Sequence, residues 1–459
     1  MSPDMKSPLA SSASRAHRST PKALFALLAT WLLAAAGFAQ AQGLPPDPVD
    51  EFYRQFNAQP DEYRRFLLAY GYDSGGDEAL AAEVGQMLAT QYGFFGRPND
   101  ADRSMPFWEE TPDAFVLPNR QHNVAVPASD WIVARAAGRR AVMINEAHHR
   151  NETRRLTLAL LPRLRALGYT HLALETLDAS DTGLTRRGYP LYQRSGYYSG
   201  DPIYAEIIRT ALRLGYVLVP YDSAGIPGQT QQQRETRQAQ NLIERVFRAN
   251  PHAKLLVHAG YAHIDKAAGG FGPTTRPMAM EFQRLSGIEP LSVDQALLSP
   301  APPGEPPSVA DRLAAEFRPT LPSVLVARGT HRAWTLWPQR HDATMAFPDT
   351  PDATVRPDWM RLGGQRHPID LSAYLQPCLA RLPCALEARY VHESADAVPA
   401  DQTVVLSAAE RHLPLYLKPG RYDLKVRDGH GQVVARRLLK VCTPAQAAQT
   451  QACARPISP

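Results

Sequence analysis

Apolar positions in this chain fall into short runs that end in ionisable residues, and one such phrase is used twice. Ala166-Leu167-Gly168-Tyr169-Thr170-His171-Leu172-Ala173-Leu174-Glu175 reads as a helix end, a glycine cap, an apolar strand and an acid. Arg213-Leu214-Gly215-Tyr216-Val217-Leu218-Val219-Pro220-Tyr221-Asp222 repeats it, with the acid again seven residues after the glycine. A third run, Ala141 to Asn145, leads into Glu146-Ala147-His148-His149. A fourth, Lys254 to His258, leads into Ala259-Gly260-Tyr261-Ala262-His263. In an open parallel sheet the ligand crevice lies outside the carboxyl ends of the strands. The pattern therefore gathers Glu146, His148, Glu175, Asp222, His258 and His263 at one place.

Helical spacing separates these runs. Residues 151–167 carry Leu156, Leu160, Leu164 and Leu167 on one face, with Pro162 inside at a cost to helix stability. Asp201-Pro202 supplies a cap and first turn for a helix ending near Leu214. Thr230 to Arg248 places Ala239, Leu242, Ile243, Val246 and Phe247 on one side. These alternations predict an α/β fold, a largely parallel central sheet flanked by helices, over residues 115–300.

The flanks differ. Residues 42–114 form a helical extension, marked by Phe52, Phe56, Tyr63, Phe66, Leu67 and Tyr70. Pro300 to Pro307 reads as a stiff linker. From residue 301 to 459 the pattern predicts a small β-rich module, with strands at Ser323 to Ala327 and Thr403 to Leu406. Two alternating runs around Pro419-Gly420 signal a hairpin, and Asp428-Gly429-His430-Gly431 another turn. The long connection from Asp178 to Gly200 holds Tyr189, Tyr192, Tyr197 and Tyr198. It is either a loop covering the substrate or an aromatic-packed surface loop.

Composition alters this picture at the termini. Arg15, Arg18 and Lys22 precede an uncharged apolar run, Ala23 to Phe38, and Ala39-Gln40-Ala41 has the small-x-small form of a signal-peptide cleavage site. Residues 1–41 are thus expected to direct export to the periplasm or beyond, with cleavage after Ala41 and no membrane span in the mature chain. Their loss takes the formal charge from +5 to about +2, which gives no basis for nucleic-acid binding. The four cysteines, Cys378, Cys384, Cys442 and Cys453, suit disulfides in an exported protein. Three pairings exist, and closure between sequence neighbours, Cys378 with Cys384 and Cys442 with Cys453, is the expectation.

The residue types define a chemistry. Glu146 and Glu175 in one crevice are expected to raise one carboxyl pKa toward neutrality, supplying a general acid or base. Alternatively, Glu146, His148 and His263 bind a divalent metal, Zn²⁺, Mn²⁺ or Co²⁺, with an open position for water. Arg234 either pairs Glu175, holds an anionic substrate group, or is a plain helix-start arginine. Asp222 either joins the site or caps the turn Ser223-Ala224-Gly225. His148 is expected inward and its neighbour His149 away. His258, inside an apolar strand, reads as a core histidine. A nucleophile elbow, a Walker loop, a dinucleotide fingerprint and a His-Glu-x-x-His motif are all absent.

Asn145-Glu146-Ala147-His148, Leu174-Glu175, Arg234-Glu235-x-x-Gln238-Ala239-x-Asn241 and Gly260-Tyr261-Ala262-His263, in that order, resemble the motifs of the ChaN/Tiki-type superfamily. That group joins haem-uptake, metalloprotease-like and erythromycin-esterase-like proteins. Asn145 stands where the family pattern has glycine, and Gln238 where it has methionine. The resemblance covers about residues 115–300. It implies a hydrolase of ester, amide or peptide bonds acting on a small-molecule or peptide substrate, with Glu146, Glu175, His263 and His148 catalytic and Arg234 and Asp222 near the substrate. As the alternative it implies a periplasmic uptake protein for haem or another iron-bearing ligand, in which Tyr197 and Tyr198 would clasp a flat ligand. A third expectation is an envelope interaction protein whose β module, with a protein partner as yet unspecified, does the work beside a residual site.

Overall fold

The computed structural model describes residues 47–105, 109–113, 115–302, 304–349 and 356–443. The expected signal segment, residues 1–41, and Cys453 lie outside that set.

Four helices open the described chain: α1 (Pro48–Asn57), α2 (Glu62–Tyr70), α3 (Glu78–Phe94) and α4 (Pro98–Ser104). Aspartates start the first three, Asp47, Asp61 and Asp77 each accepting from backbone N–H groups of the first turn. Their aromatic faces, not a surface loop, make the packing. Phe52 and Phe56 are fully buried among α1 to α3, and Tyr63, Phe66, Tyr92 and Phe95 pack against Ala385 and Val404 of the C-terminal part.

The α/β unit runs through β1 (Asn123–Pro127), α5 (Ala128–Ala136), β2 (Ala141–Glu146), α6 (Arg154–Ala166), β3 (His171–Leu174), α7 (Leu184–Arg187), α8 (Pro202–Arg213), β4 (Val217–Pro220), α9 (Gln231–Leu242), β5 (Leu255–Gly260), α10 (Met278–Ser286), β6 (Leu291–Asp294), α11 (Val309–Phe317), β7 (Ser323–Ala327) and β8 (Ala343–Ala346). They build one eight-stranded sheet in the order β1-β7-β8-β6-β2-β5-β3-β4. The pairs from β8 through β4 are parallel, and β7 runs antiparallel to both its neighbours. The fold is thus α/β, with a large, mostly parallel sheet between helices.

The twice-used phrase has a backbone reason. Gly168 and Gly215 take φ of 86° and 75° after α6 and α8, the left-handed region that lets a helix turn back into a strand. Alternation then buries both faces of the sheet. Ile144, Leu172, Leu174 and Leu256 join one core with α6 and α8. Met143, Ala173 and Val257 join another with α9 and α10. Pro162 sits inside α6, which loses one backbone donor there.

Three sequence expectations change. Ser323–Ala327 does not belong to the C-terminal module: as β7 it pairs β1 and β8 and completes the main sheet. The proline-rich stretch before α11 is a connection within that unit, not a linker between domains. The predicted hairpin around Pro419-Gly420 is also absent. The C-terminal strands are β9 (His367–Ile369), β10 (Cys384–Tyr390), β11 (Asp401–Val405), β12 (Leu415–Leu417), β13 (Gly420–Arg427) and β14 (Val433–Val441). β12 pairs β9, whereas β13 pairs β10 and β14, so the Pro-Gly corner moves the chain from one sheet to the other. Local turn chemistry fixes a bend but not the partner of each arm. The turn at residues 428–431 does join β13 to β14. Cys378 is disulfide-bonded to Cys384, with Cα atoms 5.9 Å apart. No helix among the described residues is long and apolar enough to cross a membrane.

Candidate functional site

Parallel pairing sets the site. Glu146 on β2 is in register with Gly260 on β5, and Ile144 with His258. With a period of two, His258 and Glu146 fall on the same face of the sheet. His258 Nε2 lies 2.9 Å from Glu146 Oε2, and its Nδ1 lies 2.8 Å from Thr157 Oγ1 on α6. The histidine read as part of the core is therefore a support of the site carboxylate.

Glu146 is almost wholly buried. Arg154, the first residue of α6, donates to it from Nε at 2.6 Å and from Nη2 at 3.1 Å. His148 Nδ1 lies 2.8 Å from its Oε1. Burial pushes the carboxyl up, but Arg154 and the two histidines prevail and hold it well below the usual range. Asp201, the N-cap of α8, stands 3.3 Å from Arg154 Nη1 and shares that guanidinium.

Glu175 follows β3. Its Oε2 accepts from Gly260 N at 2.5 Å, and its Oε1 accepts from Arg234 Nη2 at 2.9 Å. Arg234, in the first turn of α9, also donates to Asp222 from Nε at 3.0 Å and from Nη2 at 2.8 Å. Gln238 donates to Asp222 at 2.6 Å, and Asn241 donates to the Tyr221 carbonyl at 2.9 Å. The α9 motif thus clamps the end of β4 to the end of β3. Asp222 also accepts from Ser223 N at 2.7 Å, so it both caps its turn and joins the cluster.

His263 bridges two acids. Its Nδ1 lies 2.8 Å from Glu235 Oε1 and its Nε2 3.4 Å from Glu175 Oε1. Burial lowers its pKa, but the two carboxylates outweigh this and raise it to about 10. Glu175 is held below its usual range: burial opposes this, and His263 and Arg234 outweigh it.

The expectation that Glu146 and Glu175 push one pKa toward neutrality is therefore overturned. Each carboxylate has its own guanidinium, Arg154 or Arg234, so neither keeps a proton near pH 7. The proposed metal ligands fare no better. Glu146 is spent on Arg154, His148 and His258, and His263 holds a carboxylate at each nitrogen. Among the described residues no group of three or more His, Cys, Asp or Glu side chains is placed to hold a metal ion. The donor set present does not fit the divalent metal that the residue types suggested.

His148 is the outward-facing member, with its side chain 16% exposed. Tyr198 stacks on its ring at 3.8 Å and 11°, and Tyr261 meets it edge-on at 5.0 Å. No hydrogen bond among the described residues engages its Nε2. A Cβ on Gly260 would stand 2.5 Å from that Nε2 and 3.1 Å from Glu175 Oε2, so glycine leaves the space the imidazole occupies. Burial, joined by Glu175, holds the Tyr198 hydroxyl well above its usual pKa and keeps it a donor. Tyr197 turns the other way. It packs on Phe56 and Phe94, and its hydroxyl meets Gln91 Nε2 at 3.3 Å. The two tyrosines do not form a clasp. His149 leaves the site and lies 3.5 Å from Asp102.

Arg154 and Thr157 escaped the sequence reading, and Glu235 and Asp201 entered it only as a motif position and a helix cap. Arg154 carried one signal: it follows a strand-end acid by eight residues at the start of a helix.

No family model matches the chain, and no curated protein matches it. Among solved structures, a chain described as bacterial protein toxins is 16% identical, with 37% of each chain covered and a TM-score of 0.27. The type III effector HopBA1 is 14% identical, covering 39% of this chain and 86% of its own, at 0.26. RRSP, a MARTX toxin effector domain from Vibrio vulnificus CMCP6, is 17% identical, with 34% of each chain covered, at 0.27. The chain thus spans little more than a third of the first of these. Likeness of this size bears no functional weight.

Proposed function

We propose that the chain is an exported hydrolase of ester, amide or peptide bonds in which His148 is the general base and Glu146 its orienting carboxylate. The observation that supports this is the 2.8 Å contact of His148 Nδ1 with Glu146, beside an Nε2 with no hydrogen bond among the described residues. Donation from Nδ1–H to Glu146 fixes the tautomer and leaves a lone pair on Nε2, the same division of labour as in a hydrolytic triad. Nε2 takes a proton from water as the water oxygen bonds to the carbonyl carbon. The carbonyl electrons move onto oxygen, where Tyr198 donates a hydrogen bond. Collapse of the tetrahedral adduct breaks the bond to the leaving group, which receives the proton from His148. Arg234, Asp222, Glu175 and His263 are paired with one another before substrate arrives.

The test is hydrolysis of a panel of p-nitrophenyl esters and p-nitroanilides by the full mature chain. Loss of His148 is expected to lower kcat by about 10²- to 10⁴-fold, and chelators to leave the rate unchanged. A His148→Ala variant as active as the parent on every responsive substrate would sink the reading.

A further inference from the structure

Arg154 and Thr157 stand three residues apart in the first turns of α6, so they share a face of the helix. Arg154 reaches both oxygens of Glu146. Thr157 acts at one remove. Its Oγ1 lies 2.8 Å from His258 Nδ1, and the Nε2 of that ring lies 2.9 Å from Glu146 Oε2. The other oxygen, Oε1, lies 2.8 Å from His148 Nδ1. A line of hydrogen bonds therefore runs from Thr157 through His258 and Glu146 to His148.

One arrangement of hydrogens satisfies every member. Burial opposes the charge on Glu146, but Arg154 and the two histidines keep it ionised, so it only accepts. His258 Nε2 must then carry a hydrogen. The Thr157 hydroxyl has one hydrogen to give, and its hydrogen-bond partner among the described residues is His258 Nδ1. A neutral imidazole protonated at Nε2 presents a lone pair at Nδ1 and takes that hydrogen. A hydrogen on Nδ1 would meet the hydroxyl oxygen instead and leave the hydroxyl hydrogen without an acceptor. Buried groups are rarely left so. Thr157 and His258 are both 0% exposed, so water does not supply the missing bond. Tyr204 of α8 meets the His258 ring edge-on at 5.4 Å and holds its plane.

The tautomer decides how Glu146 is held. With its hydrogen on Nε2, His258 anchors Oε2 and leaves Oε1 to His148. With the hydrogen on Nδ1, a lone pair would face Oε2 and repel it, turning the carboxylate away from the position that orients His148.

We infer that Thr157 is a positioning residue for His148: its hydroxyl donates to His258 Nδ1, fixes the hydrogen on Nε2, and so pins the carboxylate that orients the general base. The consequence for turnover rests on the hydrolase reading of His148, whereas the tautomer itself does not.

The test uses the full mature chain labelled with ¹⁵N-histidine. Long-range proton–nitrogen NMR at pH 7 distinguishes a ring nitrogen bearing a hydrogen from one with a lone pair. The His258 ring is assigned by its contacts with Tyr204. The parent is expected to show the hydrogen at Nε2 and the lone pair at Nδ1. Thr157→Val keeps the branched shape and removes the hydroxyl, so this pattern is expected to be lost; Thr157→Ser is expected to keep it. On a responsive p-nitrophenyl ester the valine variant is expected to lose about ten- to a hundredfold in kcat with KM nearly unchanged, and the serine variant to retain kcat. Circular dichroism establishes that both variants fold. A hydrogen on His258 Nδ1 in the parent overturns the inference, and so does a folded valine variant with parental kcat. If the parent cleaves no substrate in the panel, the hydrolase reading fails and the ring pattern decides alone. Its loss in the valine variant and retention in the serine variant would uphold the lock on His258, and an unchanged pattern in the valine variant would overturn it.

Discussion

Arg154 Nε donates to Glu146 Oε2 at 2.6 Å, and the two side chains are 0% and 2% exposed. The same guanidinium faces Asp201 at 3.3 Å, so one cation neutralises a strand-end acid and a helix-cap acid. Removing it leaves two buried carboxylates uncompensated. Arg154→Met is expected to cost about 3–5 kcal/mol, the usual size for breaking a buried pair from one side. Arg154→Lys is expected to recover only part of this, because a point charge cannot reproduce the fork that spans both acids. Urea denaturation at pH 7 checks both. A lysine variant as stable as the parent would show that charge alone, without the fork, suffices.

Gly260 tests the site's geometry without touching an ionisable group. A methyl there would stand 2.5 Å from His148 Cε1 and Nε2. The backbone N–H of Gly260 also holds Glu175, so the main chain has little room to retreat. Gly260→Ala is expected to displace the imidazole and lower kcat at least tenfold, while circular dichroism shows the fold retained. Unchanged turnover of a responsive ester would mean that His148 does not work from this position.

The sequence made the crevice legible because a strand-end residue needs only a strand to place it. Glu146, Glu175 and Asp222 each follow an apolar run, and the parallel pairing of β2, β5, β3 and β4 brings those ends together. What could not be read was register. His258 lies two residues before the end of β5, and only its pairing opposite Ile144 sets it beside Glu146. Arg154 was equally hidden, since its role depends on how α6 leans on β2 and not on spacing. The error about carboxylate pKa has the same root. Two acids in one crevice repel unless cations intervene, and the cations come from α6 and α9, outside the strand-end pattern. The Pro-Gly corner at residues 419–420 misled for a different reason: alternating runs on both sides of a turn describe strands, not which strand each will join.

Tyr197 and Tyr198 are adjacent but do different work. Tyr197 packs in the helical extension on Phe56 and Phe94, whereas Tyr198 lies on the His148 ring. Tyr197→Ala is expected to destabilise the protein by about 3 kcal/mol, as for other large-to-small changes among packed aromatics, with little effect on kcat below the transition. Tyr198→Phe keeps the stacked ring and removes the donor. It is expected to lower kcat with KM nearly unchanged. Thermal denaturation beside steady-state kinetics separates the two, and a pair of variants with matching profiles would contradict the division.

His263 predicts how stability depends on pH. Glu235 on α9 and Glu175 after β3 flank its two nitrogens, with Arg234 bonded to Glu175. Its folded pKa of about 10 lies above the ordinary 6.5. The folded state therefore binds a proton that the unfolded chain has released throughout that interval. Stability rises with pH only where the unfolded state binds more protons, so here it must fall. The stabilisation is complete below about pH 6.5, declines steadily as pH rises, and is lost above about 10. His263→Gln has no such proton to lose. Subtracting its denaturation midpoint from that of the parent at a series of pH values removes the contribution of groups not in contact with His263, and its partners Glu175 and Glu235 stay ionised across this window. The difference is expected to shrink across the whole window. A difference that stays flat from 6.5 to 10 would show that His263 is neutral in the folded protein and that Glu175 is held by Arg234 and the Gly260 N–H without it.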